Sequence, residues 1–265
     1  MADLVLYDIL GGDSTAPIAW APNVWIVRYA LHFKGLKYIT EWVEFPDIES
    51  TCKKIGAGPT RYKDDGITPH YTLPVMYDAS TSTVISDSTA IIAYLDKTYP
   101  QHPRVIPPEM GGLYAAFQDT VDEAFAKKAY RLTVYPTARL FGERGLEYYT
   151  RTREAVLGMK LEEAAPPGSK AREKTMQELE DGLRRVAGWY DKARPRVDGG
   201  EGSVVFIHGT QSPCFADLFV AVRLLWLKIG VGEGSEVWSR VLKLDQGRWA
   251  KFVEWFASEG YNVGQ

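Results

Sequence analysis

Residues 73–91 read LPVMYDASTSTVISDSTAI and place two strand patterns directly before a helix start. Residues 73–78 and 83–86 are rich in strand-forming side chains and are separated by a short polar turn, which predicts a β-hairpin. From residue 88 to 99 the apolar side chains follow helical spacing. A hairpin that runs straight into a helix predicts one edge of a mixed sheet with a helix packed on it.

The residues before this stretch alternate between strand and helix patterns. Residues 4–7 form a short apolar strand pattern, and a helical pattern opens at Asn23 and stops at Gly35. Residues 37–45 alternate apolar and polar side chains, as a half-buried strand does. Residues 52–68 are polar and glycine-containing and are interpreted as a loop with a short helix. The order β-α-β-(α)-β-β-α, with the short helix of residues 52–68 in brackets, predicts a small mixed α/β sheet domain.

The composition changes after residue 99. Four prolines fall between residues 100 and 108 and two glycines follow, which is typical of a linker. Beyond it helical spacing dominates, with an interruption near Pro136 and one candidate strand at residues 204–207. The predicted fold class is therefore α/β plus all-α, with an α/β domain at residues 1–102 and an all-helical domain at residues 110–265.

Composition excludes several function classes. The 265 residues carry a net charge of −3, which argues against a nucleic-acid partner. No apolar run approaches the roughly 20 residues that span a bilayer, and the start MADL lacks the basic region of a secretory signal, so we expect no membrane partner and a cytoplasmic location. Two cysteines cannot form a disulfide framework, and four scattered histidines give no metal-ligand spacing.

Two local features could bind a ligand. Pro74 opens a strand pattern; if the Leu73–Pro74 bond is cis, the main chain of Leu73 is free to pair with an extended ligand, and the alternative is an ordinary trans proline. Asp87 and Ser88 begin the following helix, where free N–H groups and the Ser88 hydroxyl could hold a carboxylate. Plain helix capping is the alternative for this second feature.

Together with three further motifs, these features resemble the glutathione transferase family over nearly the whole chain. The matching segments are LVLY (4–7), WAPN (20–23), LP (73–74), DSTAI (87–91) and PCFAD (213–217). Residues 20–36 and the segment EWVEF (41–45) are similar to the fungal branch related to bacterial lignin β-etherases.

The resemblance implies a thioredoxin-like N-terminal domain followed by an all-helical glutathione-transferase C-terminal domain. It implies that glutathione is the co-substrate, that Leu73 beside a cis Pro74 pairs with its cysteinyl unit, and that Asp87 and Ser88 hold its γ-glutamyl end. It further implies a homodimer, a role in detoxification, and hydrophobic aromatic compounds as partners in a cleft between the domains.

The sequence departs from the family at the residue that activates the thiol. Serine-type members place a hydroxyl there, and cysteine-type members a thiol, whereas this sequence has Ala21. Three interpretations stay open. Another donor could serve, namely Asn23, free N–H groups at the helix start, Ser14 or Thr15. The protein could bind with little turnover. Alternatively, the alignment could be shifted, so that Ser14 or Thr15 is the true activator.

The remaining candidates are aromatic residues and the two cysteines. Aromatic residues make up 12% of the chain, and the predicted hydrophobic ligand site consists of Trp20, Trp25, Tyr130, Tyr135 and Trp226. Cys52 is a weak catalytic candidate, and Cys214 replaces a usual hydroxyl cap, so we expect Asp217 to lose its capping partner.

Two functions are carried forward from the sequence. One is a transferase acting on aromatic electrophiles or thioethers, weakened by Ala21. The other is a non-catalytic, ligandin-like protein that binds glutathione and polyphenols. A regulatory protein that uses the fold only for interaction is a third option.

Overall fold

The protein is described by a computed structural model that covers residues 3–193 and 206–262. Its contacts divide the chain into two compact units. The first contains the residues up to Ile106 together with Leu140–Tyr149; the second contains Pro107–Arg139 and the described residues from Thr150 onward. Because Leu140–Tyr149 belongs to the first unit, the chain is not divided at a single point. The domain limits at 1–102 and 110–265 stay a prediction.

The first unit is built on a four-stranded mixed sheet. The strands and helices of this unit are β1 (Leu4–Ile9), β2 (Gly11–Asp13), β3 (Ala16–Ile18), α1 (Pro22–Lys34), β4 (Tyr38–Val43), α2 (Ile48–Lys54), β5 (Arg61–Tyr62), β6 (Pro69–His70), β7 (Val75–Asp78), β8 (Thr83–Ser86) and α3 (Ser88–Thr98). The sheet order is β4-β1-β7-β8, with β1 parallel to β4 and antiparallel to β7. The predicted hairpin is β7–β8, and the predicted thioredoxin-like sheet is confirmed.

Two small hairpins lie outside the main sheet. β2 and β3 pair between residues 11 and 18, and β5, within the polar stretch 52–68 interpreted as a loop, pairs with β6 just after it. In the first hairpin, Asp13 accepts hydrogen bonds from the N–H groups of Thr15 and Ala16, at 2.7 and 3.0 Å, which fixes the turn. Strands of two or three residues are too short to show the alternation of apolar and polar side chains by which a strand is predicted from sequence.

A buried ion pair joins α1 to β1 and so positions the start of the helix over the sheet. Arg28 donates to Asp8 through Nε at 3.0 Å and through Nη2 at 2.8 Å, and both side chains are buried. Burial raises the pKa of Asp8 to about 6, and the guanidinium of Arg28 opposes that rise. At the other end of α1, Gly35 adopts a left-handed conformation (φ 66°), which confirms the predicted helix stop.

The second unit is helical over its described residues, as predicted. Its helices are α4 (Gly111–Val121), α5 (Lys127–Thr137), α6 (Glu143–Leu157, whose first turns belong to the first unit), α7 (Lys170–Ala193), α8 (Phe215–Val231), α9 (Glu236–Lys243) and α10 (Arg248–Ser258). Of the candidate strand at 204–207, residues 204 and 205 lie outside the described residues, and Phe206 and Ile207 are not in a strand.

A π-helical turn, Asp122–Ala126, connects α4 to α5 and packs tightly on α7. The predicted interruption near Pro136 is only the end of α5, one residue later. Where the π turn meets α7, a Cβ on Gly182 would lie 1.9 Å from the carbonyl oxygen of Ala124. Only glycine fits at this crossing, whereas Gly188 on the same helix has nothing within 4 Å of such a Cβ.

No helix in the described ranges combines the length and apolar content that a bilayer crossing requires. Among those same residues, no group of three or more His, Cys, Asp or Glu side chains is arranged to hold a metal ion.

Candidate functional site

Three chain segments meet at one end of the four-stranded sheet. Val75 of β7 pairs with both Tyr7 of β1 and Ser86 of β8. Leu73 and Ser88 each lie two residues beyond the Val75–Ser86 pair, so both extend past the same end of the ladder. β1 also ends there, and the chain that follows it leads to the start of α1. The sheet topology thus gathers the candidate residues of the first unit.

The main chain of Leu73 has unused hydrogen-bonding capacity. The Leu73–Pro74 peptide bond is cis, so the trans alternative is wrong. Within the part of the chain that the structure describes, neither the N–H nor the C=O of Leu73 has a hydrogen-bond partner. One donor and one acceptor on the same residue are what an extended ligand backbone pairs with when it adds to a strand.

The start of α3 combines capping with an unoccupied donor. The Asp87 carboxylate accepts hydrogen bonds from the N–H groups of Thr89 and Ala90, at 2.9 and 3.0 Å, so the capping alternative holds for these two groups. The N–H and hydroxyl of Ser88 have no partner among the described residues. The positive end of the helix dipole adds to this donor pair, so an incoming carboxylate could be held there.

The backbone of Asp87 is strained. Its φ of 81° lies in the region that favours glycine, yet the residue has a side chain. Such a conformation costs about 1–3 kcal/mol and occurs preferentially where a ligand site depends on it. Here it turns the chain sharply from β8 into α3 and leaves Ser88 as the first helical residue.

The start of α1 offers no evident activating group. Ala21 is the N-cap residue and is 5% exposed. Its carbonyl accepts the N–H groups of Val24 and Trp25, at 3.1 and 3.0 Å. Pro22 has no N–H, and Asn23 already has an interaction partner within the structure. The N–H groups of Val24 and Trp25 are therefore engaged, whereas other N–H groups at this helix start stay a prediction as thiol-activating donors.

The alternative donors Ser14 and Thr15 form the tip of the β2–β3 hairpin. Asp13 pairs with Ala16 and Gly11 with Ile18, so the tip lies at the end of the hairpin opposite Ile18. Three strand residues separate the tip from Ile18, which is roughly 10 Å. The chain then continues from Ile18 to Ala21. The Thr15 hydroxyl donates to Asp13 at 2.5 Å and is already engaged. This arrangement disfavours both residues as activators of a thiol at the start of α1.

The predicted aromatic residues of the first unit have different roles. Trp25 is fully buried and donates its indole N–H to the carbonyl of Ala19 at 3.1 Å, so its prediction as a ligand contact is wrong. Trp20 packs edge-on against Phe45, Phe141 and Tyr149, with ring centroids 5.8, 5.1 and 6.3 Å away. Sequence reasoning missed this cluster because its members are up to about 130 residues apart and no local pattern marks them.

The other predicted aromatic residues lie in the second unit. Tyr130 and Tyr135 are on α5, half-buried and 52% exposed respectively, and Trp226 is half-buried on α8. Burial raises the pKa of Tyr130. These three residues stay a prediction as ligand contacts.

Neither cysteine has the properties of a catalytic thiol. Cys52 is fully buried on α2, and burial raises its pKa. Burial also raises the pKa of Cys214 to about 12. The expected loss of capping at Asp217 is wrong: its carboxylate accepts the N–H groups of Cys214 and Ile207, at 2.9 and 3.0 Å, because the backbone supplies the donors that the sequence pattern does not reveal.

Comparison with known proteins agrees with this geometry. The family profile "Glutathione S-transferase, N-terminal domain" matches residues 20–98, and "Glutathione S-transferase, C-terminal domain" matches residues 112–258. The glutathione S-transferase CsGST63524 of Ceriporiopsis subvermispora, solved in complex with glutathione, is 40% identical, with a TM-score of 0.87 over 99% of this chain and 98% of that chain.

Two further relatives are more distant. The glutathione S-transferase-like protein ustS of Aspergillus flavus is 26% identical over 97% of this chain and 92% of its own length. The β-etherase LigF of Sphingobium sp. strain SYK-6 is 15% identical, with a TM-score of 0.59 over 98% of this chain and 96% of that chain, which is a likeness of fold alone. The predicted family is confirmed, with fungal relatives among its members. The chain belongs to the glutathione transferase family.

Proposed function

We propose that the protein is a glutathione transferase that acts weakly on hydrophobic aromatic electrophiles or thioethers. One combination of features carries the proposal. The main chain of Leu73 and the N–H and hydroxyl of Ser88 are free at one end of the sheet, and position 21 has only a methyl side chain. The free groups could bind glutathione, and the methyl group of Ala21 stands where the usual activating hydroxyl would be.

The free groups are of the kinds that the main chain and the carboxylate of glutathione pair with. The N–H and C=O of Leu73, beside Pro74, would pair with the main chain of the cysteinyl unit. The γ-glutamyl carboxylate would lie against the N–H and hydroxyl of Ser88, where Asp87 holds the start of α3 in place. In this proposal the thiol lies beside the start of α1.

The reaction that follows is nucleophilic attack by the thiolate. The sulfur forms a bond to an electrophilic carbon, the bond from that carbon to its leaving group breaks, and the thiol proton goes to solvent. A hydrogen bond to the thiolate is worth about 1.5–3 kcal/mol, so its loss at Ala21 lowers thiolate formation by one to two powers of ten. The dipole of α1 stabilises a thiolate at its N-terminus by only about 0.3–1 kcal/mol, which is less than the lost hydrogen bond.

A second candidate function follows from the same methyl group. Without an activating donor, the protein would hold glutathione and polyphenolic compounds in a ligandin-like manner with little turnover. In either case we propose a homodimer, a cytoplasmic location and aromatic compounds as partners, with Tyr130, Tyr135 and Trp226 as predicted contacts.

The test separates binding from turnover. Calorimetry of Ser88→Ala against glutathione is expected to show a roughly tenfold loss of affinity, since a hydrogen bond to a carboxylate is removed. Thr89→Ala, at the next position of the same helix, removes a hydroxyl from a different helix face; it is the matched control and keeps the wild-type affinity. Equal affinities for both variants would contradict the proposed site.

Turnover with a panel of electrophiles then distinguishes the two functions. A rate above the uncatalysed background supports the transferase. No such rate, together with micromolar displacement of a fluorescent hydrophobic probe, supports the ligandin-like protein.

A further inference from the structure

Strand β1 pairs with its two neighbours over different lengths. On the β4 side the ladder extends to the Ile9–Val43 pair. On the β7 side it stops two residues earlier, at the Tyr7–Val75 pair. Residues of an antiparallel ladder advance in opposite directions, so the next pair of the same kind would align Ile9 with Leu73.

The N–H of Ile9 points toward β7. Consecutive N–H groups of a strand face opposite neighbours, and the next one, on Leu10, is bonded to the carbonyl of Val43 in β4 at 2.8 Å. Ile9 therefore stands where an antiparallel pair exchanges two hydrogen bonds. Those two bonds would occupy both the N–H and the C=O of Leu73, which are the groups proposed to bind glutathione.

Asp8 engages this N–H before it can reach Leu73. Its Oδ1 accepts the N–H of Ile9 at 2.7 Å. Its Oδ2 accepts two hydrogen bonds from Arg28, from Nε at 3.0 Å and from Nη2 at 2.8 Å. Both side chains are buried, and both oxygens of the carboxylate are therefore held in place by the protein.

Arg28 is itself held from several sides. It donates through Nη1 to the hydroxyl of Tyr38 and through Nη2 to that of Thr40, each at 3.1 Å and both on β4. Its guanidinium lies over the rings of Trp25 and Trp42, 5.6 and 5.3 Å from their centroids. A planar cation with this many partners has little freedom to turn, so the carboxylate that it binds keeps its orientation.

We propose that Asp8 is a positioning residue of the glutathione site: by bonding the N–H of Ile9, it ends the β1–β7 ladder and leaves the main chain of Leu73 available for the ligand. The extended ligand then pairs with the stretch of backbone that a longer β1 would cover. Asp8 acts through Ile9 and Leu73 rather than by contact with the ligand. This inference rests on the proposed function, because it explains how Leu73 keeps its donor and acceptor.

Replacing Asp8 with alanine tests this role by calorimetry with glutathione. In Asp8→Ala the N–H of Ile9 is released and can bond to the carbonyl of Leu73, so glutathione has to displace that bond. We expect the affinity to fall about 2- to 12-fold, which is the range for one neutral hydrogen bond.

Asp96→Ala is the matched control. Asp96 is also buried, also pairs with a basic residue of α1, Lys34, at 2.9 Å, and also accepts backbone N–H groups. Lys34 is the last residue of α1, so this pair lies at the opposite end of the helix from its start at Pro22. Asp96→Ala should keep the wild-type affinity. Equal losses in the two variants, or no loss in Asp8→Ala, overturn the proposal.

Magnetic resonance separates this role from a general loss of stability. In a ¹³C,¹⁵N-labelled sample of the unmodified protein without glutathione, scalar coupling across the hydrogen bond should link the amide nitrogen of Ile9 to the carboxyl carbon of Asp8. In Asp8→Ala the coupling should instead reach the carbonyl carbon of Leu73. A coupling from Ile9 to Leu73 in the unmodified protein, or none to Asp8, overturns the proposal even where Asp8→Ala does not fold.

Glutathione calorimetry on the unmodified protein keeps two failures apart. If glutathione does not bind to it, the proposed function fails. If glutathione binds, and Asp8→Ala binds it equally well or Ile9 already couples to Leu73, the Asp8 proposal alone fails.

Discussion

Replacing Ala21 with serine tests directly whether the missing hydroxyl limits the chemistry. Ala21 is the N-cap of α1, with φ −74° and ψ 121°, a conformation that serine adopts readily at this position. The N–H groups of Val24 and Trp25 are already bonded to the Ala21 carbonyl. The new hydroxyl is therefore free to donate to a sulfur bound beside the helix start.

The expected gain follows from the strength of that bond. A hydrogen bond to a charged group contributes about 1.5–3 kcal/mol, which is roughly a 10- to 150-fold rise in the thiolate fraction and a lowering of the bound thiol pKa by about 1–2 units. In Ala21→Ser, the rate with 1-chloro-2,4-dinitrobenzene at saturating glutathione should level off near pH 7. In the unmodified protein it should keep rising through about pH 8.5, the pKa of a free thiol.

Two variants control the Ala21→Ser experiment. Ala21→Gly changes the residue without adding a donor and should keep the original pH profile. Ser14→Ala should also keep it, because Ser14 lies at the far tip of the β2–β3 hairpin. If Ala21→Ser leaves the profile unchanged and Ser14→Ala lowers the rate, the reasoning about Ala21 is refuted.

Three further predictions concern stability and reactivity. Gly182→Ala should lower the free energy of unfolding by about 1–3 kcal/mol or more in denaturant titrations, because its Cβ overlaps a backbone carbonyl, whereas Gly188→Ala should raise it by about 0.5–1 kcal/mol; similar values for both would contradict the close crossing. Cys52 and Cys214 should resist iodoacetamide at pH 7.5, since burial raises both pKa values; rapid labelling of the native protein would be the opposing result. The Asp8 pKa of about 6 exceeds its unfolded value, so its contribution to stability should fall as pH rises from about 4 to about 6 and then stay constant. Carboxyl NMR titration giving a value below 4 would contradict this.

Local patterns in the sequence were sufficient for the elements that carry the candidate glutathione site. The strand pairs, the α3 start at Asp87 and the Gly35 stop each depend on residues close together in the chain. The free main chain of Leu73 also follows from a local feature, the proline that opens β7. Short-range propensity and turn chemistry decide such elements, so one sequence is enough to predict them.

Contacts between distant residues could not be predicted in this way. Helical spacing does not reveal that Trp25 faces the core and Trp20 faces Phe141, because that depends on which elements pack together. The π turn beside Gly182 is likewise a consequence of how two helices cross. The hydrogen bond from the Thr15 hydroxyl to Asp13 depends on the register of β2 and β3. Strands of three residues are too short for the sequence pattern to indicate that register.

A crystal structure of the protein soaked with millimolar glutathione tests the central claim most directly. The account predicts density for the tripeptide, with the cysteinyl main chain paired to the N–H and C=O of Leu73 and a carboxylate on the N–H and hydroxyl of Ser88. An empty sheet end at that concentration, or glutathione bound elsewhere, would contradict it.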